Sequence, residues 1–375
     1  MSTAVNDDLA WFPLVQRPRP PGLPLQERIA ELAALAARTG QGTRQERATS
    51  AAGVLNKAAL VASDCGIPAL ARDLCRRQYE LFVQLAPLPG WAVRLALQPV
   101  LNIPRQLIRD GHGDDAHAVL QTLHQAAVSR AAAVMDGMRI DFGALSSTAD
   151  GHKEACTLTW TALLADGTRA LAQAGRWRGA AEHAAAYRGT GTRLLDGRQS
   201  AILALLGEGQ PSEAAQMVEQ SAVTETWEHA VQAVLRVLCQ RAAGQNPVPG
   251  TATMLGTAWT LVQVQDPATA VTRTRIGLTA LALAGHSDTK QAPAIRAALI
   301  TGGNADAYVA RDLLAARQNW SLTSAQRSRL QALVQAGGLD AGAIPGHLHA
   351  QLTSATRRAE VTLAHAIRTP QKEPA

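Results

Sequence analysis

Aromatic residues are scarce in this chain of 375 residues, at 3% of the total, although apolar residues make up 47%. Half-buried strands favour aromatic and β-branched side chains, so a chain this poor in Tyr and Phe is badly supplied for sheets. Alanine recurs throughout, and it enters a helix without losing side-chain entropy. Small side chains also allow helices to cross closely. The composition therefore predicts an all-α protein.

Several other features are missing, and each absence argues against a class of protein. The four cysteines, Cys65, Cys75, Cys156 and Cys239, include no C-x-x-C pair, which argues against a zinc site or a disulfide framework. No uninterrupted run of about 18 apolar residues occurs, so we expect no membrane span. The N-terminus carries acids and prolines where a signal peptide would carry basic and apolar residues. We therefore expect a cytoplasmic protein.

The basic charge is dispersed. A net charge of +6 and a pI of about 9.5 mildly favour acidic partners. No long basic run occurs, and aromatic side chains on which bases would stack are few, so nucleic acid is not the favoured partner.

Recognisable catalytic motifs are also missing. The sequence contains no G-x-x-x-x-G-K-[ST], no H-E-x-x-H and no G-x-S-x-G. The pair His347/His349 has no carboxylate or cysteine cluster beside it, and His117 and His124, seven residues apart with Asp114 a turn before, have weak spacing for a metal site. We expect no metal and no cofactor, and whether the chain is an enzyme stays open.

One pattern occurs repeatedly. "GRWRGAA" and "GQPSEAA" begin at Gly175 and Gly209, 34 residues apart, and in each an alanine follows the glycine by five residues. "GIPALA" at Gly66 and "GDDAHA" at Gly113 have the same spacing. Glycine ends a helix because it accepts left-handed backbone angles, and proline or aspartate then starts the next helix. The alanine would lie where the two helices cross.

This helix, glycine turn and helix with alanine at the crossing resembles the tetratricopeptide repeat, whose period is about 34 residues. Steps of 47 and 62 residues between the other glycines correspond to lengthened units. The resemblance implies a right-handed α-solenoid of stacked helical hairpins whose concave groove holds an extended peptide or another protein. The Ala- and Arg-rich style is similar to that of actinomycete proteins.

The pattern divides the chain. Residues 1–24 form a Pro-rich arm, 25–244 a repeat domain, 251–368 a C-terminal helical region or cap, and 369–375 a polar tail. The boundary is placed in "AAGQNPVPG", Ala242–Gly250, because its two prolines and two glycines interrupt the helical pattern. Within the repeat domain, helices are predicted over residues 114–135 and 152–174.

Three Asp-Gly pairs are spaced by 30 residues each, beginning at Asp136, Asp166 and Asp196. Glycine inside a helix costs about 1 kcal/mol relative to alanine, so something should offset it at the last two pairs. Close helix packing and the approach of a ligand to the backbone are the two explanations.

The first helix of each hairpin would line the groove. Its polar residues offer several donors each, and arginine grips carboxylates with two hydrogen bonds. The predicted groove residues are Asn56, Lys57, Asp64, Asn102, Arg105, Arg109, Asp166, Arg169, Arg193, Asp196 and Arg198.

These observations predict a helical-repeat protein that binds a peptide or protein partner, acidic or carboxylate-bearing, as an accessory or scaffold component of a bacterial pathway. The first alternative is a motif-less enzyme or enzyme subunit acting on a peptide in lanthipeptide-like maturation, with Lys57, Asp64, Tyr79 or His152 as acid or base. The second is a regulatory protein associated with nucleic acid. Neither the partner nor the oligomeric state follows from the sequence.

Overall fold

The computed structural model describes residues 9, 11–285, 291–316 and 322–368. The chain forms two compact units, each built from two segments of the sequence. The first unit comprises Met1–Leu23 and Thr168–Gly337, and the second comprises Pro24–Gly167 and Gly338–Ala375. The predicted boundary, Ala242–Gly250, lies within the first unit and contains the turn between the helices that end at Ala242 and begin at Val248. The predicted tail, residues 369–375, lies outside the described residues.

The second unit is almost entirely helical. Its helices are α1 (Leu25–Arg38), α2 (Arg44–Asp64), α3 (Pro68–Val83), α4 (Gly90–Arg109), α5 (Gly113–Ser129), α6 (Phe142–Leu145), α7 (Ala149–Ala162) and α18 (Gly346–Arg368), with a π-helical segment at Leu163–Gly167. Helices α1 to α5 pack in sequence order, and α7 packs against α4 and α5. Helix α18 returns to pack against α1, α2 and α3. The Arg44 side chain donates to the carbonyls of Ala366 and Ile367, which satisfies free acceptors at the end of α18.

The first unit is also helical. Its helices are α8 (Thr168–Gln173), α9 (Trp177–Ala186), α10 (Asp196–Gly207), α11 (Pro211–Glu219), α12 (Thr226–Ala242), α13 (Val248–Val262), α14 (Ala270–Ala284), α15 (Gln291–Gly303), α16 (Ala307–Ala315) and α17 (Ser324–Ala336), with a 3₁₀ turn at Pro267–Thr269. Neighbours from α8 to α17 pack against each other. The all-α class is confirmed.

The predicted glycine turns separate these helices. Gly66, Gly175 and Gly209 have positive φ angles of 70°, 73° and 76°. The alanines five residues later, Ala71, Ala180 and Ala214, are completely buried. At the fourth turn the register is shifted by two residues, because Gly111 has the positive φ and Ala116 is the buried alanine. Gly113 instead begins α5.

The helix predicted over 114–135 is wrong at its end. Helix α5 stops at Ser129, and Arg130 adopts a left-handed conformation with φ of 53°. Strands β1 (Ala132–Met135) and β2 (Met138–Asp141) follow as an antiparallel hairpin, which is the only sheet among the described residues. Asp136 and Gly137 both have positive φ, as a two-residue hairpin turn requires. The first Asp-Gly pair is therefore a strand turn.

The third Asp-Gly pair is explained by close packing. A Cβ atom at Gly197 would lie 2.5 Å from the carbonyl oxygen of Gly189 and 2.8 Å from the Cβ of Ala184. The backbone of α10 therefore approaches its neighbour too closely for any side chain.

We expect Gly197→Ala to destabilise the protein by about 1–3 kcal/mol, since an added methyl group here overfills a packed site. Gly256→Ala in α13 is the matched control. Nothing lies within 4 Å of a Cβ at Gly256, so this change should stabilise its helix by up to about 1 kcal/mol. Denaturant unfolding of both variants measures the difference, and equal stability of the two would contradict the packing explanation.

Candidate functional site

A cavity of about 300 Å³ lies in the second unit between α2 and α4. Its lining consists of Asn56, Lys57, Ala59 and Leu60 from α2 and of Gln98, Asn102, Arg105, Gln106 and Arg109 from α4. Gln98, Asn102, Arg105 and Arg109 follow one another at helical spacings of four, three and four residues, which puts them on one face of α4. This volume is at the lower end of the range for ligand pockets, about 300–1,000 Å³. We call this space the α2–α4 cavity.

A chain of hydrogen bonds links the two helices across the cavity. The Asn56 amide donates to Gln98 Oε1 at 3.3 Å, and the Asn102 amide donates to Asn56 Oδ1 at 3.1 Å. Arg105 donates to Asn102 Oδ1 at 3.3 Å and, through Nε, to Asp166 Oδ2 at 2.7 Å. These bonds orient the amides and the guanidinium before any ligand arrives.

Asp166 lies in the π-helical segment Leu163–Gly167. The predicted helix over 152–174 is present as the continuous run of α7, this segment and α8, starting three residues earlier than predicted. A π-bulge contains one extra residue per turn and is frequent at functional sites. Its buried Asp166 carboxylate anchors Arg105, whose side chain keeps 42% of its surface exposed. The second Asp-Gly pair therefore marks a local change of helix type beside the cavity.

The charge of the cavity is positive. Among the described residues that line it, Lys57, Arg105 and Arg109 are cations and none carries a carboxylate. The side chains that pair with these cations do not line the cavity. Lys57 Nζ is 2.6 Å from Glu31 Oε1, and Arg109 NH2 donates to Ser63 Oγ at 2.6 Å. The hydrogen bonds of Arg105 to Asp166 and Asn102 use two of its five N–H groups, and the guanidinium is partly exposed to an incoming anion.

Gln106 lines the floor of the cavity and is 2% exposed. Its Nε2 is 3.7 Å from the Cys75 sulfur, and its Oε1 has no hydrogen-bond partner among the described residues. A buried polar atom without a partner is costly, so Gln106 Oε1 is a position in the cavity lining that a hydrogen-bond donor would stabilise. The sequence prediction missed Gln98 and Gln106, although both share the helical face of Asn102 and Arg105.

The other two predicted residues of the second unit, Asp64 and Asp166, do not line the cavity but contact arginines that do. Asp64 is buried and accepts from Arg28 NH2 at 2.6 Å, and its other oxygen is 4.0 Å from Arg109. Of the seven predicted residues in this unit, five line the cavity and Asp64 and Asp166 hold two of its arginines.

The remaining four predicted residues belong to the first unit, and Arg193, Asp196 and Arg198 have partners within it. Arg193 pairs with Glu225 and Glu228, and Asp196 pairs with Arg17. Arg198 is buried and donates to Ser221 and to the carbonyls of Gly191 and Met217. Burial lowers the pKa of this guanidinium. Arg169 is half-buried on α8.

Burial disfavours the ionised forms of one candidate acid or base, Tyr79, and of two cysteine thiols. Burial raises the pKa of Tyr79 to about 12. Burial likewise raises the pKa of the Cys65 thiol to about 11 and that of Cys75 to about 12. No group of three or more metal-ligating side chains occurs in the described part of the chain. Within the same residues, no helix has both the length and the apolar character needed to cross a bilayer.

Compared with models of protein families, with curated proteins and with solved structures, the chain matches none of them.

Arg193 and Glu228 give a test of the local electrostatics. Burial alone would raise the pKa of Glu228, but hydrogen bonds from Arg193, Thr224 and the backbone of Glu225 outweigh it and lower the pKa from 4.5 to about 2. Because the folded pKa is depressed, this carboxylate stabilises the protein above pH 4.5 and loses that effect as the pH falls towards 2.

We expect Glu228→Gln to lose about 1–3 kcal/mol at pH 7, the cost of an unsatisfied hydrogen-bonding site, and to flatten the pH dependence of stability below pH 4.5. Glu225→Gln is the control, because Glu225 contacts the same arginine but is 49% exposed. Urea unfolding between pH 2.5 and 7 measures both variants. A wild-type slope that persists in Glu228→Gln would assign the acid sensitivity to another group.

Proposed function

We propose that the protein is a binding module that grips a carboxylate-bearing segment of a peptide or protein partner in the α2–α4 cavity. The observation that carries the proposal is the lining itself, which combines three cations and four side-chain amides with no carboxylate. Arginine and lysine bind carboxylates by charge-assisted hydrogen bonds, and the amides can accept from and donate to a peptide backbone.

The setting of the cavity supports an extended ligand. Its polar groups follow the long axis of α4 from Gln98 to Arg109, eleven residues apart, which spans about 16 Å at the rise of an α-helix. A chain of about five residues has this reach when extended. We propose that α1 to α5 are stacked hairpins of a tetratricopeptide-like solenoid, with α2 and α4 as the ligand-facing helices of neighbouring hairpins.

An enzymatic role in peptide maturation has less support, because Tyr79 and the buried thiols are protonated at neutral pH and Asp64 is held by Arg28. A role as an accessory component that holds a peptide for another protein requires only the binding described above.

Binding is tested with a fluorescent pentapeptide of alternating Glu and Asp residues with a free C-terminus, against its amidated Gln/Asn counterpart. We expect the acidic peptide alone to bind, with an affinity that falls as salt is raised, because exposed charges are screened.

Lys57→Gln and Arg109→Gln should each weaken binding about tenfold, the equivalent of one lost charge-assisted contact of about 1.4 kcal/mol. Arg94→Gln is the matched control, since Arg94 lies on α4, pairs with Glu154 and does not line the cavity. Fluorescence anisotropy measures all four proteins. Equal binding of the neutral peptide, or an equal loss in Arg94→Gln, would contradict the proposal.

A further inference from the structure

The arm of the chain is seated on the first unit as an extended strap, residues 11–22. Phe12, Leu14 and Gly22 are buried, whereas Pro18 and Pro20 are exposed. The segment contains no helix or strand. It is therefore held by contacts at separate points, each of which can be assigned to a group of the unit beneath it.

The first contact is made to the backbone of the strap. Gln199 of α10 accepts from the amide of Leu14 at 2.8 Å and donates to the carbonyl of Leu14 at 3.1 Å. Its Nε2 also donates to the carbonyl of Leu194 at 2.7 Å, which fixes the direction of the side-chain amide. Gln199 is completely buried. A fixed amide that forms both hydrogen bonds of a residue acts as one rung of a β-ladder and accepts any extended chain.

Two further contacts bind arginine side chains of the strap. Arg17 NH2 lies 2.5 Å from Asp196 Oδ2. The guanidinium of Arg19 stacks 3.5 Å from the centre of the Tyr308 ring, and its backbone amide donates to the carbonyl of Ala268 at 2.9 Å. Carboxylate pairing and stacking on an aromatic face are both specific for arginine. Asp196 Oδ1 has no hydrogen-bond partner among the described residues, so the carboxylate has capacity for a two-point grip.

The last contact requires glycine. The amide of Ala307, in the first turn of α16, donates to the carbonyl of Gly22 at 2.9 Å. A Cβ at Gly22 would lie 2.7 Å from Asp306 Oδ1 and 2.8 Å from Tyr308. The backbone of the strap therefore approaches α16 at a point where no other residue fits.

The strap has fewer backbone hydrogen bonds than the helices beneath it, although Phe12 and Leu14 are buried. Its prolines Pro13, Pro18, Pro20 and Pro21 have no N–H to donate, and among the described residues its backbone makes four hydrogen bonds to the later segment of the unit, 168–337, through Leu14, Arg19 and Gly22. Segments with few protected hydrogen bonds open with a free energy below that of global unfolding. Opening would leave the Gln199 amide, the Asp196 carboxylate, the Tyr308 ring and the Ala307 N–H arranged on one surface.

We propose that this surface is an interaction site for an extended Arg-Pro-Arg segment followed by glycine, occupied in cis by residues 11–22, and that its partner in trans is the same segment of a second copy of the chain. The contacts made in trans are identical to those made in cis, as in exchange of an element between subunits. The cis strap has the advantage of a high effective concentration, so wild-type protein is monomeric when dilute.

Two complementary variants of the full chain test this proposal. Arg17→Glu/Gly22→Val removes the binding contacts of the strap and leaves the surface intact. Gln199→Leu/Asp196→Lys removes the binding contacts of the surface and leaves the strap intact. Sedimentation velocity of each variant alone should show a monomer, and an equimolar mixture should show a one-to-one complex. A synthetic peptide of residues 11–23 should bind the first variant at least about tenfold more tightly than wild type, whose own strap competes, and should not bind the second.

Folding of each variant is checked by helical circular dichroism. The proposal would be overturned if both variants fold but form no complex and the peptide does not bind Arg17→Glu/Gly22→Val. The strap would then be a permanent part of the core. If a variant does not fold, a measurement on the wild-type protein tests the proposal instead. Native-state hydrogen exchange should show the amides of Leu14 and Arg19 opening without global unfolding, and exchange of both only through global unfolding would also overturn the proposal.

Discussion

Close packing of helices through small side chains is the constraint on which the rest of this structure depends. The alanines that follow the glycine turns are completely buried, and at Gly197 even a methyl group would overlap a neighbouring backbone. Helices packed this closely leave little space for large side chains, which accounts for the scarcity of aromatic residues. Polar groups are nevertheless buried at many positions of this core, and two groups of them form the candidate sites.

The α2–α4 cavity shows how a polar site is held in an apolar setting. Each arginine has a carboxylate or hydroxyl partner: Asp166 for Arg105, and Ser63 with Asp64 for Arg109. These partners keep the guanidinium groups in place and partly neutralise them, while the cavity surface itself stays free of carboxylates. Helix α4 carries Pro99 and Pro104 in its interior, where each removes a backbone hydrogen bond. The helix persists because most of its residues are buried against α3, α5 and α7, and this packing outweighs the local penalty.

The strap shows a different use of polar residues. Gln199 is a buried amide on a helix, and two of its hydrogen bonds go to Leu14, 185 residues away along the chain. Asp196 and Tyr308 likewise pair with Arg17 and Arg19 of the strap. One predicted groove residue of the first unit, Asp196, therefore already contacts an extended peptide segment, and that segment is part of the same chain.

The sequence by itself determined the all-α class, the glycine turns at Gly66, Gly175 and Gly209, and the polar face of α4 with Asn102, Arg105 and Arg109. These features depend on backbone angles and on the helical period, which are local properties. Only the tertiary structure decided that α2 meets α4, that Arg198 is buried while Arg105 lines a cavity, and that α18 packs against α1 to α3. It also decided the hairpin at residues 132–141, where an alanine-rich run continues the helical pattern but the Asp-Gly turn stops it. Local pattern cannot choose among these outcomes, because each depends on the packing of residues distant in sequence, and the same arginine is equally compatible with a surface, a cavity or a buried network.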